Sequence, residues 1–159
     1  MPAFGYLELT GTIQGQIVGG ATRSLRNGLI EVQQFNHNVV MSKGKSVGLP
    51  LGIRAHKPLS IVKSIDESTP KIIQMLCTEE RITTAIFSWY GPDESGEQAL
   101  FYQIRLENAF ISSVQGNMPT LNEDNWENHK MVETVSFIYE RISWSWGADG
   151  SIEFEDEWV

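Results

Sequence analysis

Apolar residues recur at every second position through most of this chain, and Val, Ile, Phe, Tyr, Trp and Thr dominate the alternating runs. That period and those residue types predict strands, so the protein reads as mainly β. Phe4, Tyr6, Leu7 and Leu9 open a first strand, and Gly11, Gly15, Gly19 and Gly20 interrupt the next stretch with turns or bends. Asn27-Gly28 predicts a turn into a second strand from Leu29 to about Met41. Its apolar parity changes from even, at Ile30 and Val32, to odd, at Phe35 and Val39, which predicts a bulge near Gln33-Gln34.

The alternation stops from Ser42 to Pro58, and the segment SKGKSVGLPLGIRAHKP reads as a protruding loop, about 42–58, longer than compact domains usually contain. Leu59 to Lys63 restores a short strand. The period then changes to that of the single helix, about 69–79, with Thr69 as N-cap, Pro70 at N1, and Asp66 and Glu67 near the positive end of the dipole. Ile72, Ile73, Leu76 and Cys77 form its apolar stripe, which places Cys77 in the core. Arg81 to Tyr90 and Ala99 to Ile111 form a hairpin around GPDESGEQ, with Leu100, Tyr102, Ile104 and Leu106 on one face.

Residues 115–130 are polar and turn-rich, and Met131 to Trp146 is a long strand with apolar residues on both faces. Val135, Phe137 and Tyr139 lie on one side, and Ile138, Ile142, Trp144 and Trp146 on the other. Such a strand needs cover on both faces, from its own domain or from a neighbouring subunit. Gly147 to Gly150 turns the chain into a last, acidic strand, SIEFEDEW. The strand spacing with one helix predicts a closed or nearly closed β-barrel, and no internal repeat interrupts it.

Length and composition narrow this further. At 159 residues the chain is most simply one domain, 1–159, able to bury a core without disulfides or a structural metal. Cys77 is its only cysteine, which suits folding in a reducing cytosol. The start MPAFGYLELTG has neither a basic n-region nor a long apolar stretch, and no run approaches 18 apolar residues. The expectation is a cytoplasmic protein without membrane anchoring, and any export proceeds without a cleaved signal peptide.

Charge divides the chain lengthwise. Residues 1–65 carry seven basic residues against Glu8 and Glu31, a net of +5, whereas residues 66–159 carry eighteen acids against five basic residues, a net of −13. A chain with a basic part and an acidic part can complement its own copy, so self-association is expected on charge alone. The overall −8 argues against general affinity for nucleic acid or anionic lipid, although the basic segment 43–63 leaves a local patch open.

Motifs for chemistry are sparse. Gly44-Lys45-Ser46 imitates the end of a phosphate-binding loop, but Val39 stands where its earlier glycine belongs and no helix comes after it. His37, His56 and His129 lack metal-ligand spacing, and His37 alternates with Phe35 and Val39 as a satisfied sheet histidine would. No nucleophile elbow exists, and acid pairs such as Glu79-Glu80 and Asp156-Glu157 read as solvated faces. No catalytic, cofactor-binding or metal-ligating residue is nominated, and the expectation is not an enzyme. A small β-barrel binding a ligand or nucleic acid through segment 43–63 is the alternative class.

The order of IEVQQFNHNV, GKSVGLPLGIRAHKP, STPKIIQML, FSWYG with YQIRLENAFI, and VSFIYERISW resembles the haemolysin-coregulated protein (Hcp) family, the tube protein of bacterial type VI secretion, over about residues 4–146. The resemblance implies a β-barrel with one flanking helix, similar to phage tail-tube proteins, that forms hexameric rings. Those rings stack into a tube that a contractile sheath propels and that is itself secreted. It further implies no cofactor, a spike protein as partner, and a lumen that holds small effector proteins. By the resemblance, Lys43, Lys45, Arg54, His56 and Lys57 fall on the ring-stacking loop. Their acidic partners lie either in the tail or near Glu123, Asp124 and Glu127.

Overall fold

The computed structural model describes residues 3–22, 26–43, 50–120 and 131–158. The alternating segments form strands β1 (Phe4–Gly11), β2 (Gly15–Gln16), β3 (Ile30–Val32), β4 (Gln34–Asn36), β5 (Val39–Lys43), β6 (Pro50–His56) and β7 (Leu59–Ser64). Helix α1 (Thr69–Cys77) precedes β8 (Ile82–Pro92), β9 (Gln98–Asn117), β10 (Val132–Trp146) and β11 (Ile152–Glu157). Every ladder is antiparallel, and the main sheet runs β2-β1-β8-β9-β10-β7-β4, with β3 also on β1 and β11 on β10.

One stretch of chain brings the two ends of this sheet together. β3 pairs with β1 and β4 pairs with β7, and the change of partner occurs at Gln33, whose N–H donates to the Val62 carbonyl at 2.8 Å. The parity change at Gln33-Gln34 is therefore where one strand leaves one edge for the other. The result is a nearly closed barrel, filled by Leu7, Leu9, Ile30, Leu59, Ile61, Phe87, Leu106 and Phe137.

A second parity change folds the wall. Buried positions are three residues apart, rather than two, between Ile82 and Ala85 on β8, Leu106 and Ala109 on β9, and Tyr139 and Ile142 on β10. These positions are register neighbours, since Ala109 pairs with both Ile82 and Tyr139 and Leu106 with both Ala85 and Ile142. All three strands thus exchange faces at one level, where Asn108 takes the left-handed conformation (φ 49) and donates its side-chain amide to Glu140 at 3.0 Å. Asparagine tolerates that conformation better than branched residues do. The corner accounts for most of the two-faced strand: Val135, Phe137, Tyr139 and Ile142 share one core, while Ile138 and Trp146 stay half exposed.

Three details of the sequence reading change. The helix begins one residue earlier at its cap: Ser68 is the N-cap, and Thr69 instead accepts the Asp66 N–H and donates to Glu133. Ile72 and Met75 are its buried residues, whereas Cys77 is exposed, because the buried stripe keeps to the three-residue step and Cys77 falls on its flank. Glu80 is buried rather than solvated, since its carboxylate accepts the N–H groups of Ile13 and Gln14. The left-handed Glu79 (φ 54) turns it inward after the helix.

Two charges sit inside the wall. Lys63 on β7 and Glu133 on β10 are direct cross-strand partners, fully buried, with Nζ to Oε1 at 2.7 Å. Lys63 also donates to the Ser64 carbonyl and to Asp66, and Asp66 accepts the Gly20 and Ser68 N–H groups. A buried pair is tolerated when its remaining donors and acceptors are satisfied, as here. The network ties the helix start to β7, β10 and the Gly20 turn.

Candidate functional site

The expected loop is a docked β-hairpin. Val39 pairs with His56, Val40 with Ala55, Met41 with Arg54 and Lys43 with Pro50, in a two-stranded sheet of its own. Its alternation is broken by two prolines at its ends, by Gly52 (φ 134) and by a register shift between Met41 and Lys43, which conceals the outer strand from a periodicity search. Residues 44–49, including Lys45, lie outside the described residues, as do Glu123, Asp124 and Glu127.

The hairpin is anchored to the barrel through its base, by polar groups. Arg54 and His56 project from the same side of β6 toward β11. Arg54 grips Asp156 through one edge of the guanidinium, Nε to Oδ2 at 2.6 Å and Nη2 to Oδ1 at 2.8 Å, and Nη2 also donates to the Glu157 carbonyl at 2.8 Å. Bidentate charge-assisted bonds fix geometry as well as contributing energy. One acidic partner of the basic segment therefore lies in the tail, within the same chain.

His56 continues the chain of contacts inward. Its Nε2 is 2.7 Å from Asp156 Oδ2 and its Nδ1 is 2.7 Å from the Tyr139 hydroxyl. The same hydroxyl is 2.7 Å from His37 Nε2, so two imidazoles share one phenol. Trp144 stacks beside both rings, with centroids 6.1 Å from His37 and 6.3 Å from His56, and Trp158 tilts over His56 at 5.4 Å. Trp158 is held in turn by its N–H to the Glu140 carbonyl. The line Arg54, Asp156, His56, Tyr139, His37 joins the hairpin to β10 and β11.

The electrostatics are set by these neighbours. Hydrogen bonds from Arg54 hold the Asp156 carboxyl down at about 2, against its partial burial, with His56 adding to the same effect. Burial lowers His37 to about 4, and the nearby His56 lowers it further in the same direction. Burial, then the Asp156 charge, pushes the Tyr139 phenol up, so it stays protonated. His37 is thus a neutral, satisfied histidine, although it lies between β4 and β5 rather than inside a strand.

Of the expected stacking residues, Arg54 and His56 are brought together, and both are engaged within the chain. Lys57 is exposed beyond them, its N–H bonded to the Asn38 carbonyl at 2.9 Å, and Lys43 ends β5. Tyr139 and Asp156 are absent from the expected set. The signal for Asp156 is parity: it comes after Ile152 and Phe154 on the same face of β11, where an apolar residue is due.

Around this anchor the surface is unusually apolar. Val39, Val40, Met41 and Ile53 on the hairpin are exposed, Ile53 to 73%. On β10 and β11, Trp146, Ile152 and Phe154 are also exposed, the last two to 67% and 65%. Trp144 stacks on Phe154 at 5.9 Å, and Trp146 meets Phe101 edge-on at 5.8 Å. The opposite face of β11 carries Glu155 and Glu157, which flank Arg141 at 3.0 and 3.7 Å. No helix among the described residues is long and apolar enough to cross a membrane.

Comparisons with known proteins agree on one family. The model of the family described as "Type VI secretion system effector, Hcp" matches residues 6–146. The major exported protein of Pseudomonas aeruginosa is 32% identical over 162 residues, covering 96% of this chain and 94% of the relative. A crystal structure of Hcp protein covers 99% of both chains at 27% identity, with TM-score 0.89. A mutant form of the Hcp1 protein from the E. coli EAEC 042 pathovar covers 98% of this chain and 99% of its own at 28% identity, with TM-score 0.84. The secreted protein Hcp3 from Pseudomonas aeruginosa covers 99% of both at 28% identity, with TM-score 0.79. With its family model matched from Tyr6 to Trp146 and an exported relative aligned along nearly its whole length, this chain belongs to the Hcp family of type VI secretion.

Proposed function

We propose that the chain is a tube subunit of a type VI secretion apparatus: it forms hexameric rings that stack, are propelled by a contractile sheath with a spike protein ahead, and leave the cell with small effectors in the lumen. The observation that carries this reading is the family match over residues 6–146. The surface supports it physically. Ile152 and Phe154 are exposed on β11, which is paired only with β10 among the described residues, so both apolar area and a strand edge are open to another copy. A ring is built from heterologous contacts, one patch meeting a different patch on the next copy.

In this proposal the hairpin is the ring-stacking element, with Lys43, Lys45, Arg54, His56 and Lys57 on it. Arg54 and His56 act by holding the hairpin at a fixed angle through Asp156, and Lys57 with the other lysines supplies charge. Exposed ion pairs contribute about 0–1 kcal/mol each, so charge sets register while apolar burial and edge pairing hold the ring. The alternative of a ligand- or nucleic-acid-binding barrel loses support, since Arg54 is spent on Asp156 and Lys63 on Glu133. Native mass spectrometry and electron microscopy of the purified protein test the proposal: a mass near six chains and ring-shaped particles are expected. A monomer at every accessible concentration overturns it.

A further inference from the structure

The anchor of the hairpin contains a proton count that admits only certain charge states. Tyr139 offers one hydroxyl proton and two lone pairs, and it faces two ring nitrogens, His56 Nδ1 and His37 Nε2, each at 2.7 Å. The count closes in two ways while His37 is neutral, and also for a cationic His37 beside a neutral His56, because His37 Nε2–H then donates to Tyr139 as before. With His56 neutral, its Nε2–H donates to Asp156, Tyr139 donates to His56 Nδ1, and His37 Nε2–H donates to Tyr139. With His56 protonated, both its N–H groups donate, and the Tyr139 hydroxyl donates to a bare His37 Nε2. Once both rings are cationic, both nitrogens are donors at the phenol, and the hydroxyl proton loses its acceptor. Two positive rings then also share one partly buried hydroxyl, an arrangement that low dielectric makes costly.

We propose that His37 is a proton-operated release for the β5–β6 hairpin: the anchor holds the hairpin docked while at most one of its two imidazoles is charged and lets it go when His37 takes a proton beside a cationic His56. The neighbours give the asymmetry this requires. His56 faces the Asp156 carboxylate, itself bound to Arg54, so a positive charge on His56 is compensated. His37 has no such partner: Tyr139 and Trp144 face it, and among the described residues no carboxylate pairs with it. Lys57 lies exposed on the solvent side, and the Glu157 carboxylate turns away to Arg141. A charged His37 is therefore accommodated by leaving the cluster for water. Because His37 lies in the short link between β4 and β5, its departure takes the hairpin base with it.

The device also fits how the hairpin is attached. Among the described residues its only ladder is internal, β5 with β6, so undocking leaves the barrel sheet intact. The contacts that operate the step all lie within one chain. Its test uses the native Cys77, which is exposed, and a second label at Ile53→Cys, on the exposed face of β6. Spin labels at the two sites, with labelled protein diluted into an unlabelled Cys77→Ser, otherwise unaltered chain, report the hairpin-to-helix distance by electron double resonance. A single narrow distribution is expected at pH 7, and a second, broader population should grow as the pH falls through about 4. The same labels on His37→Gln should stay narrow at both values.

An unchanged distribution at pH 4, or equal broadening in His37→Gln, overturns the proposal. Should that variant fail to fold, the labelled His37-containing chain still decides the matter: the His37 ring resonances, followed by NMR, must titrate together with the distance change. Midpoints separated by more than about one pH unit mean that another group operates the hairpin. Loss of far-UV circular dichroism at the same pH identifies the change as acid unfolding and likewise overturns it.

Discussion

The barrel wall and the docked hairpin are both antiparallel sheet, yet they are held by different forces. The wall, β8 to β10 with β1 and β7, is filled by fully buried apolar side chains such as Leu7, Phe87, Leu106 and Phe137, with one ion pair sealed inside it. The hairpin leaves its apolar residues exposed and rests on a line of polar contacts through Arg54, Asp156, His56 and Tyr139. Burial of apolar area is non-directional and cooperative, whereas hydrogen-bonded charge is directional and responsive to pH and salt. The same molecule therefore has a rigid wall and a separable appendage, and substitutions should sort accordingly.

The largest effects belong to the wall. Phe137→Ala, which empties a fully buried site against Phe87, is expected to cost about 3–5 kcal/mol of global stability. Glu133→Ala strands the buried Lys63 ammonium and should cost a similar amount, about 3–5 kcal/mol. Urea denaturation of both variants measures this. If Glu133→Ala unfolds at the parental midpoint, Lys63 has found water and the wall is less tightly sealed than its burial implies.

Legibility in the sequence divides along the same line. The wall is readable because alternation is the signature of a half-buried strand, and even its irregularities are printed as parity changes, at Gln33 and between Tyr139 and Ile142. The Lys63–Glu133 pair is encoded too, since Lys63 continues the parity of Leu59 and Ile61 and Glu133 that of Val135 and Phe137. Two opposite charges at core parity call for each other, although only the register shows that they meet. The hairpin is unreadable because its outer strand exposes Ile53 on one side and turns the polar Arg54 and His56 to the other, so that, with Gly52 and flanking prolines, it carries no apolar period. Its anchor joins positions about a hundred residues apart, Arg54 to Asp156 and His37 to Tyr139, which no local pattern records.

A middle-sized effect should separate the two regions. Asp156→Asn removes the charge that Arg54 and His56 share, and should weaken hairpin docking by about 1–3 kcal/mol while leaving the urea midpoint of the barrel nearly unmoved. The distance between labels at Cys77 and Ile53→Cys reports docking, while hydrogen exchange at the β8 and β9 amides follows the wall separately. Equal loss of protection across β8 and β9 would show that the hairpin and the barrel unfold as one unit.

The pH dependence sharpens this. His37, lowered to about 4 from an ordinary value near 6.5, contributes fully to docking above pH 6.5 and loses that contribution as pH falls through 4. Asp156, held at about 2 below an ordinary value of about 3.9, contributes fully above pH 4 and loses its part only as pH falls toward 2. Docking should therefore decline in two steps on acidification, the first absent from His37→Gln and the second from Asp156→Asn. A single step that neither substitution moves would assign the pH response to other groups.

The smallest effect should come from the charged surface on the other face of β10 and β11. Arg141 reaches Glu155 at 3.0 Å, Glu157 at 3.7 Å and Glu107 at 3.9 Å, but every one of these side chains is close to half exposed or more. Water and salt screen such pairs, and ordering the long side chains offsets what attraction remains, so Arg141→Gln should change stability by about 0–1 kcal/mol. Arg54 is also about half exposed, yet its two bonds to Asp156 are short and parallel, and Asp156 is itself mostly shielded. The comparison isolates geometry from charge: if Arg141→Gln undocks the hairpin as much as Asp156→Asn does, the hairpin is held by the general field of the acidic tail rather than by the fitted contact at its base.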